Sequence, residues 1–428
     1  MTNIVRPVKG TRDFYPADLA VRNWIYKYVR DVSETFGYQE FDGPFLESID
    51  LYAAKSGDEL VKEQSFVFPD RGGDLVTLRP ELTPSLARMV SQRQHQLVYP
   101  LRWWSWGPFW RYERPQKGRS REFFQWNIDL IGVESPEADA EMAAIAATFL
   151  QRAGLSASVA TVYVNNRRLM DSELEGLNIP LGKRPEVFRL IDRRDKLSLE
   201  AWEAYAINVG LSTSQIDGVL TILSDKDLWQ KSTDLVRFFD VIKSFGVKDY
   251  IQYAPNVIRG LDYYTGTIFE AWANEGKFRA ILGGGRYDNL VSDMGGQPLP
   301  AVGFAMGDMV VRLILEENNC IPEDVKHSPA QVLVTVFSDE TFSASSKTAA
   351  RLRQAGLNVV CYPEIAKLGK QFKFGDRMGM RVAVILGPDE LENQQIAVKD
   401  LHTGKQEILP DSEAVTYIQN LLDDAKPS

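Results

Sequence analysis

Residues 259–270, RGLDYYTGTIFE, concentrate one arginine, two acids and two tyrosines around two glycines. Glycine weakens regular elements, and an alternating strand would place these polar side chains awkwardly. Charged and phenolic groups that converge around flexible backbone are typical of a pocket for a small polar ligand. The residues alone leave a second interpretation open, in which a tight turn precedes a strand over residues 267–272 and Arg259 pairs with Glu270 or Asp262.

A second cluster, residues 109–129, is predicted to form two strands joined by a strongly basic loop. Arg111 and Glu113 are two residues apart and are predicted to share one face of the first strand. One face of the second strand carries Phe123, Gln125, Asn127 and Asp129. The loop contains Arg114, Lys117, Arg119 and Arg121. Because guanidinium groups match phosphate oxygens, the loop suits a polyphosphate, although a solvated basic hairpin that binds nothing is the alternative.

Two further segments suit a ligand pocket. Residues 79–84, RPELTP, follow a predicted hairpin over residues 65–78, and Thr83 is predicted to cap a helix that begins at Pro84. Glu81 then lies just before the exposed N–H groups of that helix. Residues 283–288, GGGRYD, allow the backbone to approach a flat ligand closely. No crossover pattern typical of dinucleotide-binding folds surrounds these glycines.

Periodic patterns predict the elements that position these residues. Apolar residues at helical spacing predict a helix over residues 18–36, and Gly37 stands at its expected end. Residues from about 165 to 250 carry charges at helical spacing and few strand signals, which predicts a mostly helical insertion. From residue 329 onward strands alternate with helices, which predicts a small α/β domain with a mixed sheet.

The predicted helix over residues 367–380 carries basic residues at steps of three and four, which places them along one face. They are Lys367, Lys370, Lys373 and Arg377, with Arg381 just beyond. A stripe of this kind suits the phosphates of RNA, whereas a solvated charged face is the ordinary alternative.

Composition excludes several classes of protein. A net charge of −9 over 428 residues argues against a protein that coats nucleic acid indiscriminately, although a local patch remains compatible with RNA. Cys320 and Cys361 lie far apart, so a disulfide framework or thiolate zinc site is not expected, and a reduced cytoplasm fits. His95, His327 and His402 lie outside polar clusters, so a histidine base is not expected. No apolar run reaches the ~20 residues of a membrane helix, and no signal peptide is predicted.

Together these segments closely resemble the histidyl-tRNA synthetase family of class II aminoacyl-tRNA synthetases. Residues 259–270 combined with residues 111–125 are the most specific part, and the resemblance covers nearly the whole chain. It implies an α+β catalytic domain built on an antiparallel sheet over residues 1–325, with the helical insertion inside it. It also implies a C-terminal α/β anticodon-binding domain over residues 329–428.

The resemblance implies ATP-dependent activation of L-histidine to histidyl-adenylate, followed by transfer to the 3′ end of tRNA(His). Magnesium is expected to arrive with ATP, and neither a tightly bound cofactor nor a metal site of the protein's own is expected. The helix and strand that end at Pro44 resemble the first motif of class II synthetases, which builds the dimer interface in that family. A cytoplasmic homodimer without membrane contact is therefore expected.

The resemblance also implies roles for individual residues. Arg259 and Arg111 are expected to be catalytic. The residues expected to bind histidine are Glu81, Thr83, Arg111, Gln125, Asp129, Arg259, Tyr263 and Tyr264. The residues expected to bind ATP are Arg111, Glu113, Arg119, Arg121, Gly284 and Arg286. The residues expected to bind tRNA are Lys367, Lys370, Lys373 and Arg377.

One position departs from the family pattern. Many members follow the glycine equivalent to Gly307 with Leu-Glu-Arg, whose arginine stacks on adenine, whereas this chain has Val310 in the place of that arginine. Helical geometry turns Arg312 by ~200° from position 310, so Arg312 is not expected to substitute. The sequence therefore does not identify the side chain that holds adenine.

A non-catalytic relative of the family, the regulatory subunit of ATP phosphoribosyltransferase, is the competing interpretation. Such subunits typically lack the anticodon-binding domain and have eroded histidine motifs, whereas this chain retains both features. A generic RNA-binding scaffold is a more distant third, since net acidity and the polar face of residues 123–129 would go unexplained.

Overall fold

The computed structural model describes residues 4–53, 64–258 and 264–424. The chain forms two compact units, one made of Met1–Tyr15 and Val21–Ile321 and the other of Pro16–Ala20 and Pro322–Ser428. No helix in these described ranges is long and apolar enough to cross a membrane.

The first unit is built on a large sheet and a small one. Its strands are β1 (Gln39–Glu40), β2 (Leu46–Ser48), β3 (Phe66–Pro69), β4 (Leu75–Leu78), β5 (Leu101–Trp110), β6 (Glu122–Ile131), β7 (Ala160–Asn166), β8 (Ile251–Tyr253), β9 (Thr267–Ala273), β10 (Leu282–Tyr287) and β11 (Ala301–Gly307). The large sheet has the order β1-β5-β6-β11-β10-β9-β7-β8, and the small sheet has the order β2-β4-β3. Only the outer pairs β1–β5 and β7–β8 of the large sheet are parallel, so the predicted antiparallel catalytic sheet is confirmed.

Helices surround these sheets. They are α1 (Pro16–Thr35), α2 (Asp50–Ala53), α3 (Thr83–Arg93), α4 (Pro136–Arg152), α5 (Arg167–Gly176), α6 (Arg184–Asp192), α7 (Leu199–Asn208), α8 (Thr213–Ser224), α9 (Thr233–Ser244), α10 (Leu290–Asp293) and α11 (Asp308–Glu317). The helices α5 to α9 lie between β7 and β8, which confirms the predicted helical insertion.

The N-terminal predictions differ from the structure in their bounds. The first helix begins at Pro16, because proline favours the first turn of a helix, and it ends just before Phe36. Gly37 follows with a positive φ of 79°, as a helix-terminating glycine should. The predicted strand after it is short, since only Gln39 and Glu40 pair with the edge of β5.

The two faces of the large sheet have opposite character. On one face the rings of Trp126, Phe304 and Phe269 pack together, and the ring of Trp126 lies 5.5 Å from that of Phe149 in α4. Burial of large apolar side chains like these stabilises the fold by about 1.5–3 kcal/mol each. Successive residues of a strand point to opposite faces. The other face of β6 therefore presents Gln125, Asn127 and Asp129, as predicted, and this face is left open for a ligand.

The second unit confirms the predicted α/β domain with a mixed sheet. Its strands are β12 (Val332–Val334), β13 (Val359–Cys361), β14 (Val382–Ile385), β15 (Gln395–Asp400) and β16 (Gln406–Pro410). Its helices are α12 (Asp339–Gln354), α13 (Leu368–Arg377), α14 (Pro388–Glu392) and α15 (Ala414–Asp423). The strand order is β13-β12-β14-β15-β16, with parallel pairing around β12 and antiparallel pairing of β14–β15 and β15–β16. The helix predicted over residues 367–380 is one residue shorter at its start and three residues shorter at its end, because the ends of helices carry weak sequence signals.

Candidate active site

A polar cavity of about 130 Å³ lies on the open face of the large sheet. Its walls come from β6, β10 and β11, from the start of α3 and from the segment after β5. The lining residues are Glu81, Thr83, Arg111, Gln125, Asn127, Asp129, Tyr264, Gly283, Tyr287, Gly303, Phe304 and Ala305. This first cavity has the size and polarity for a small molecule with several hydrogen-bonding groups.

Asp129 forms the buried end of the first cavity, with only 6% of the residue exposed. Its neighbour across the sheet is Gly303, where a Cβ atom would lie 2.1 Å from the Asp129 Oδ1 atom. The Tyr287 hydroxyl donates a hydrogen bond to the same oxygen at 2.5 Å. Burial raises the pKa of Asp129 to about 7, and the Tyr287 hydrogen bond opposes this rise only in part. The site thus holds a carboxyl group that a ligand with N–H donors would stabilise in its charged form.

Glu81 and Thr83 line the cavity, but Thr83 does not cap the following helix as predicted. The helix begins at Thr83 itself, its N-cap is Leu82, and no side-chain capping hydrogen bond forms. Arg79 supports the segment that carries Glu81 and Thr83. Its side chain is fully buried and donates a hydrogen bond to the Asp42 carboxylate at 2.5 Å. No local sequence pattern predicted this role of Arg79, because its partner Asp42 lies 37 residues away in the chain.

Arg111 lies at the junction of two cavities. The strand β5 ends at Trp110, so Arg111 and Glu113 lie beyond it and do not share a strand face as predicted. The Arg111 Nε atom donates to the Pro80 carbonyl oxygen at 2.9 Å, and its guanidinium carbon lies 5.4 Å from the centre of the Phe123 ring. Among the described residues, Arg111 alone lines both the first cavity and a second one.

The second cavity has a volume of about 610 Å³ and continues from Arg111 across the open face. Its lining residues are Arg111, Glu113, Gly118, Arg119, Ser120, Phe123, Asp192, Lys196, Glu270, Trp272, Phe278, Arg279, Ala280, Gly307, Asp308, Met309 and Val310. It is larger and flanked by aromatic rings and basic side chains, which suits a nucleotide. Arg119 forms an ion pair with Glu113 on its wall.

Three residues predicted to bind ATP lie outside both cavities. The Arg121 guanidinium rests 4.0 Å from the centre of the Tyr112 ring and donates to the backbone oxygens of Glu113 and Lys9. Gly284 and Arg286 belong to β10, where alternation turns them away from the open face on which Gly283 lies. These positions argue against direct contact with a nucleotide in the second cavity.

Arg286 has a structural role on the far face of the sheet. Its Nη2 and Nε atoms donate to the Asp139 carboxylate of α4 at 2.5 and 2.9 Å, and both side chains are buried. Further bonds run to the carbonyl oxygens of Val133 and Ser135. A buried ion pair is strongly destabilised when one partner is removed, so this contact anchors α4 to the sheet.

Asp308, the first residue of α11, follows Gly307 and makes contacts that connect three segments of the chain. Its carboxylate accepts a hydrogen bond from the Phe124 backbone N–H at 2.9 Å and pairs with Arg12 at 2.8 Å. An acid in the first turn also suits the positive end of the helix dipole. Asp308 therefore joins the N-terminal segment, β6 and α11.

The site also contains residues that sequence reasoning did not select. Asn127 could have been selected, because it alternates with Gln125 and Asp129 on one strand face. Tyr287, Gly303 and Arg279 carried no such signal, because their place depends on strand register and on loop position.

Two predicted residues, Arg259 and Tyr263, lie outside the described residues. Tyr264 is described, is buried and lines the first cavity. Next to it, the Thr265 hydroxyl donates to the Asp288 carboxylate at 2.5 Å. Both interpretations of this segment agree with the described residues, since Tyr264 lines the cavity and the strand of the second interpretation is present as β9.

The predicted basic stripe on α13 is exposed. Lys367, Lys370, Lys373 and Arg377 are all exposed, while Gln371 and Gly375 face the core of the second unit. The Lys370 ammonium pairs with Glu364 at 2.5 Å. Arg381, in contrast, pairs with Asp400 at 2.8 Å and is only partly exposed.

Comparison with known proteins identifies the family. The family model described as histidyl-tRNA synthetase matches residues 10–309. The chain belongs to the histidyl-tRNA synthetase family. A second model, described as an anticodon binding domain, matches residues 331–421. This second match makes the regulatory paralogue considered above the less supported interpretation, since such subunits are expected to lack that domain.

The similarity to relatives in the histidyl-tRNA synthetase family extends over nearly the whole chain. A histidine–tRNA ligase of Thermoplasma volcanium is 38% identical over 428 residues, covering 97% of this chain and 98% of the relative. The chloroplastic/mitochondrial histidine–tRNA ligase of Arabidopsis thaliana is 38% identical over 412 residues, covering 94% and 84%. The crystal structure of histidyl-tRNA synthetase from Nostoc sp. PCC 7120 has the same fold, with a TM-score of 0.85, 24% identity and coverage of 98% and 100%.

Replacing Asp129 with Asn should increase the stability of this protein, without bound ligand, at high pH. The folded pKa is about 7 against an ordinary value of 3.8, so the folded protein keeps a proton that the unfolded chain has released. This contribution to stability is fully present below about pH 4 and is lost as pH rises through about 7. Asn has no charge at any pH, so D129N does not suffer this loss. Its free energy of unfolding at about pH 8 should exceed that of the unmodified protein by on the order of 1–3 kcal/mol.

Denaturant unfolding of both proteins between about pH 5 and pH 8 measures this difference. The exposed carboxyl of Asp217 provides the control, since D217N should leave the pH profile unchanged. Parallel profiles for D129N and the unmodified protein would contradict the prediction.

Proposed function

We propose that this protein activates L-histidine with ATP and transfers it to the 3′ end of tRNA(His). Histidine binds in the first cavity, ATP binds in the second, and histidyl-adenylate forms where they meet. The observation that carries this proposal is that Arg111 lines both cavities, so one guanidinium reaches the two reacting groups. Membership in the family supports the same chemistry.

The first cavity offers a partner for each polar group of histidine. The Asp129 carboxylate accepts a hydrogen bond from the imidazole, and the Tyr264 hydroxyl bonds the other ring nitrogen. Glu81 and Thr83 receive the ammonium group at the wall near the start of α3. Gln125 on the same strand face as Asp129 completes the polar set. A site that hydrogen-bonds its ligand in this way rejects analogues without those groups.

The chemistry needs no nucleophile from the protein. A histidine carboxylate oxygen attacks the α-phosphorus of ATP, and the bond to the β-phosphate oxygen breaks, which releases pyrophosphate with its magnesium. Arg111 and Arg259 stabilise the charge on the α-phosphate and carboxylate as the new bond forms. A terminal ribose hydroxyl of tRNA then attacks the activated carbonyl carbon, loses its proton and displaces AMP.

Arg119 and Glu113 form the nucleotide side of the reaction site. Arg119 donates toward the phosphates after its ion pair with Glu113 rearranges, and Phe123 offers a flat surface for adenine. Magnesium arrives with ATP as part of the substrate.

Histidine-dependent exchange of pyrophosphate into ATP tests the proposal. The unmodified protein should catalyse exchange that requires histidine. D129N should raise the KM for histidine by about 30-fold or more, since an unpaired buried donor or acceptor costs on the order of 2 kcal/mol or more. The KM for ATP should stay within about twofold, because Asp129 does not line the second cavity.

Two outcomes would contradict this assignment. Absence of exchange in the unmodified protein would favour the regulatory paralogue, which senses ligands without activating them. A rise in the KM for ATP with an unchanged KM for histidine would place histidine elsewhere. The exposed variant D217N serves as the matched carboxyl-to-amide control.

The small sheet supports the proposed homodimer. Its strands and the residue before them expose large apolar side chains to solvent, namely Phe45, Leu46, Val67, Phe68 and Leu75. Large apolar side chains exposed on both faces of one small sheet are typical of a protein interface. A second copy of the chain is the proposed partner, as the resemblance to class II synthetases implies.

Sedimentation should therefore give about twice the 48.3 kDa mass of one chain. Charged residues placed on this sheet, as in the double variant V67E/F68E, should shift the protein to one chain mass. A single-chain mass for the unmodified protein at micromolar concentration would contradict the proposed dimer.

The exposed stripe on α13 is proposed to contact tRNA phosphates. Changing Lys367, Lys373 and Arg377 to Gln together should weaken tRNA binding and leave histidine-dependent exchange intact. Each lost phosphate contact should lower the slope of log affinity against log salt by about 0.7–0.9. Filter binding of tRNA over a range of salt concentrations measures this slope.

A charge-matched control comes from three other exposed lysines of the second unit, Lys326, Lys347 and Lys405. Their triple Gln variant should bind tRNA with an unchanged salt slope. Equal losses in both triple variants would mean that overall charge, and not the stripe, governs binding.

A further inference from the structure

The basic side chains of the second cavity differ in whether the protein already neutralises them. Arg119 pairs with Glu113, and the Lys196 ammonium pairs with Asp192 at 2.8 Å. Arg279 is exposed and lines the same cavity, and it makes no hydrogen bond or ion pair with any residue of the described ranges. Its charge is therefore available to a ligand without the loss of a contact to any residue that the structure describes.

The start of α11 also lines the second cavity, through Asp308, Met309 and Val310, and none of these residues is a cation. Val310 is buried, and its Cγ2 atom would lie only 3.3 Å from a Cβ atom built on Gly118. Gly118 belongs to the basic loop and has a positive φ of 76°, so the loop turns directly onto Val310. The space at position 310 is thus occupied by apolar packing against the loop, and Asp308 beside it is acidic and paired.

The turn between β9 and β10 is held in place, while Arg279 has no hydrogen-bond or ion-pair partner in the part of the chain that the structure describes. The Lys117 ammonium lies 5.2 Å from the centre of the Phe278 ring, which brings the turn against the basic loop. Lys277 pairs with Glu275 at 2.5 Å and with Glu317 of α11 at 3.3 Å. The contact of Phe278, the residue before Arg279, therefore holds the turn beside the cavity, whereas the ion pairs of the exposed Lys277 contribute little to its position.

We propose that Arg279 binds the polyphosphate of ATP in the second cavity and supplies the positive charge that α11 does not provide. This inference rests on the proposed function, because it assumes that the second cavity holds the nucleotide. Guanidinium groups bind phosphate oxygens through two parallel hydrogen bonds, and no residue of the described ranges occupies the donors of Arg279. Arg119 and Lys196 would first have to leave Glu113 and Asp192.

The test compares R279Q, R279K and K277Q in the full chain. R279Q should raise the KM for ATP by about tenfold to a hundredfold, as loss of a charged hydrogen bond predicts, with the KM for histidine within about twofold. In the reverse reaction, R279Q should raise the KM for pyrophosphate by a similar factor, because pyrophosphate contains the β- and γ-phosphates. R279K keeps the charge and loses the paired geometry, so it should fall between R279Q and the unmodified protein.

K277Q is the matched control, since Lys277 is a cation in the same turn that pairs with acids and does not line the cavity. Its kinetic constants should equal those of the unmodified protein. Unchanged constants in R279Q, or an equal rise in K277Q, would overturn the inference. A rise for ATP without a rise for pyrophosphate would also overturn it, since Arg279 would then contact the adenosine part.

Failure of the proposed function has a different signature. The unmodified protein would then show no histidine-dependent exchange, whatever the variants do. In that case, calorimetric titration with inorganic pyrophosphate still tests whether Arg279 binds a polyphosphate. Binding to the unmodified protein and to K277Q, with at least about tenfold weaker binding to R279Q, supports the inference, and equal binding or no binding overturns it.

Discussion

A carboxyl group buried within a β-sheet is the constraint on which the rest of this site depends. Asp129 has room only because its neighbour across the sheet is Gly303, and it has one described donor, the Tyr287 hydroxyl. Burial raises its pKa to about 7, which is a cost to the empty protein that a ligand with N–H groups reverses. The opposite face of the same sheet offsets this cost, since the rings of Trp126 and Phe304 pack there against α4.

The two cavities follow from how one arginine is held at their junction. The position of the Arg111 side chain is fixed, because its Nε atom donates a hydrogen bond to the Pro80 carbonyl oxygen. That carbonyl is in turn fixed by Arg79, a fully buried guanidinium that donates to Asp42 and to the Pro108 carbonyl oxygen. Positive charge that is held in place before the reaction contributes most to the catalysis of phosphoryl and adenylyl transfer. These reactions depend on the positioning of the substrates more than on a covalent bond to the protein.

The sequence predicted the architecture and the wall of the site that β6 forms. The predictions that were wrong failed for physical reasons. Alternation along β6 is a local signal, so the shared face of Gln125 and Asp129 followed from spacing alone. The role of Arg286 did not, because its partner Asp139 lies 147 residues away in the sequence and on the other face of the sheet. Thr83 was expected to be a cap, but the helix includes it and leaves the threonine side chain to the cavity. The position of Arg279 depends on how two loops pack, which no periodic pattern encodes.

The most direct measurement is a crystal structure of the protein with a non-hydrolysable analogue of histidyl-adenylate. The account predicts that the imidazole lies against Asp129 and Tyr264, and that the group replacing the phosphate lies beside Arg111. It also predicts that the adenosine occupies the second cavity. An analogue bound with its imidazole away from Asp129, or with its adenosine outside the second cavity, would contradict the account.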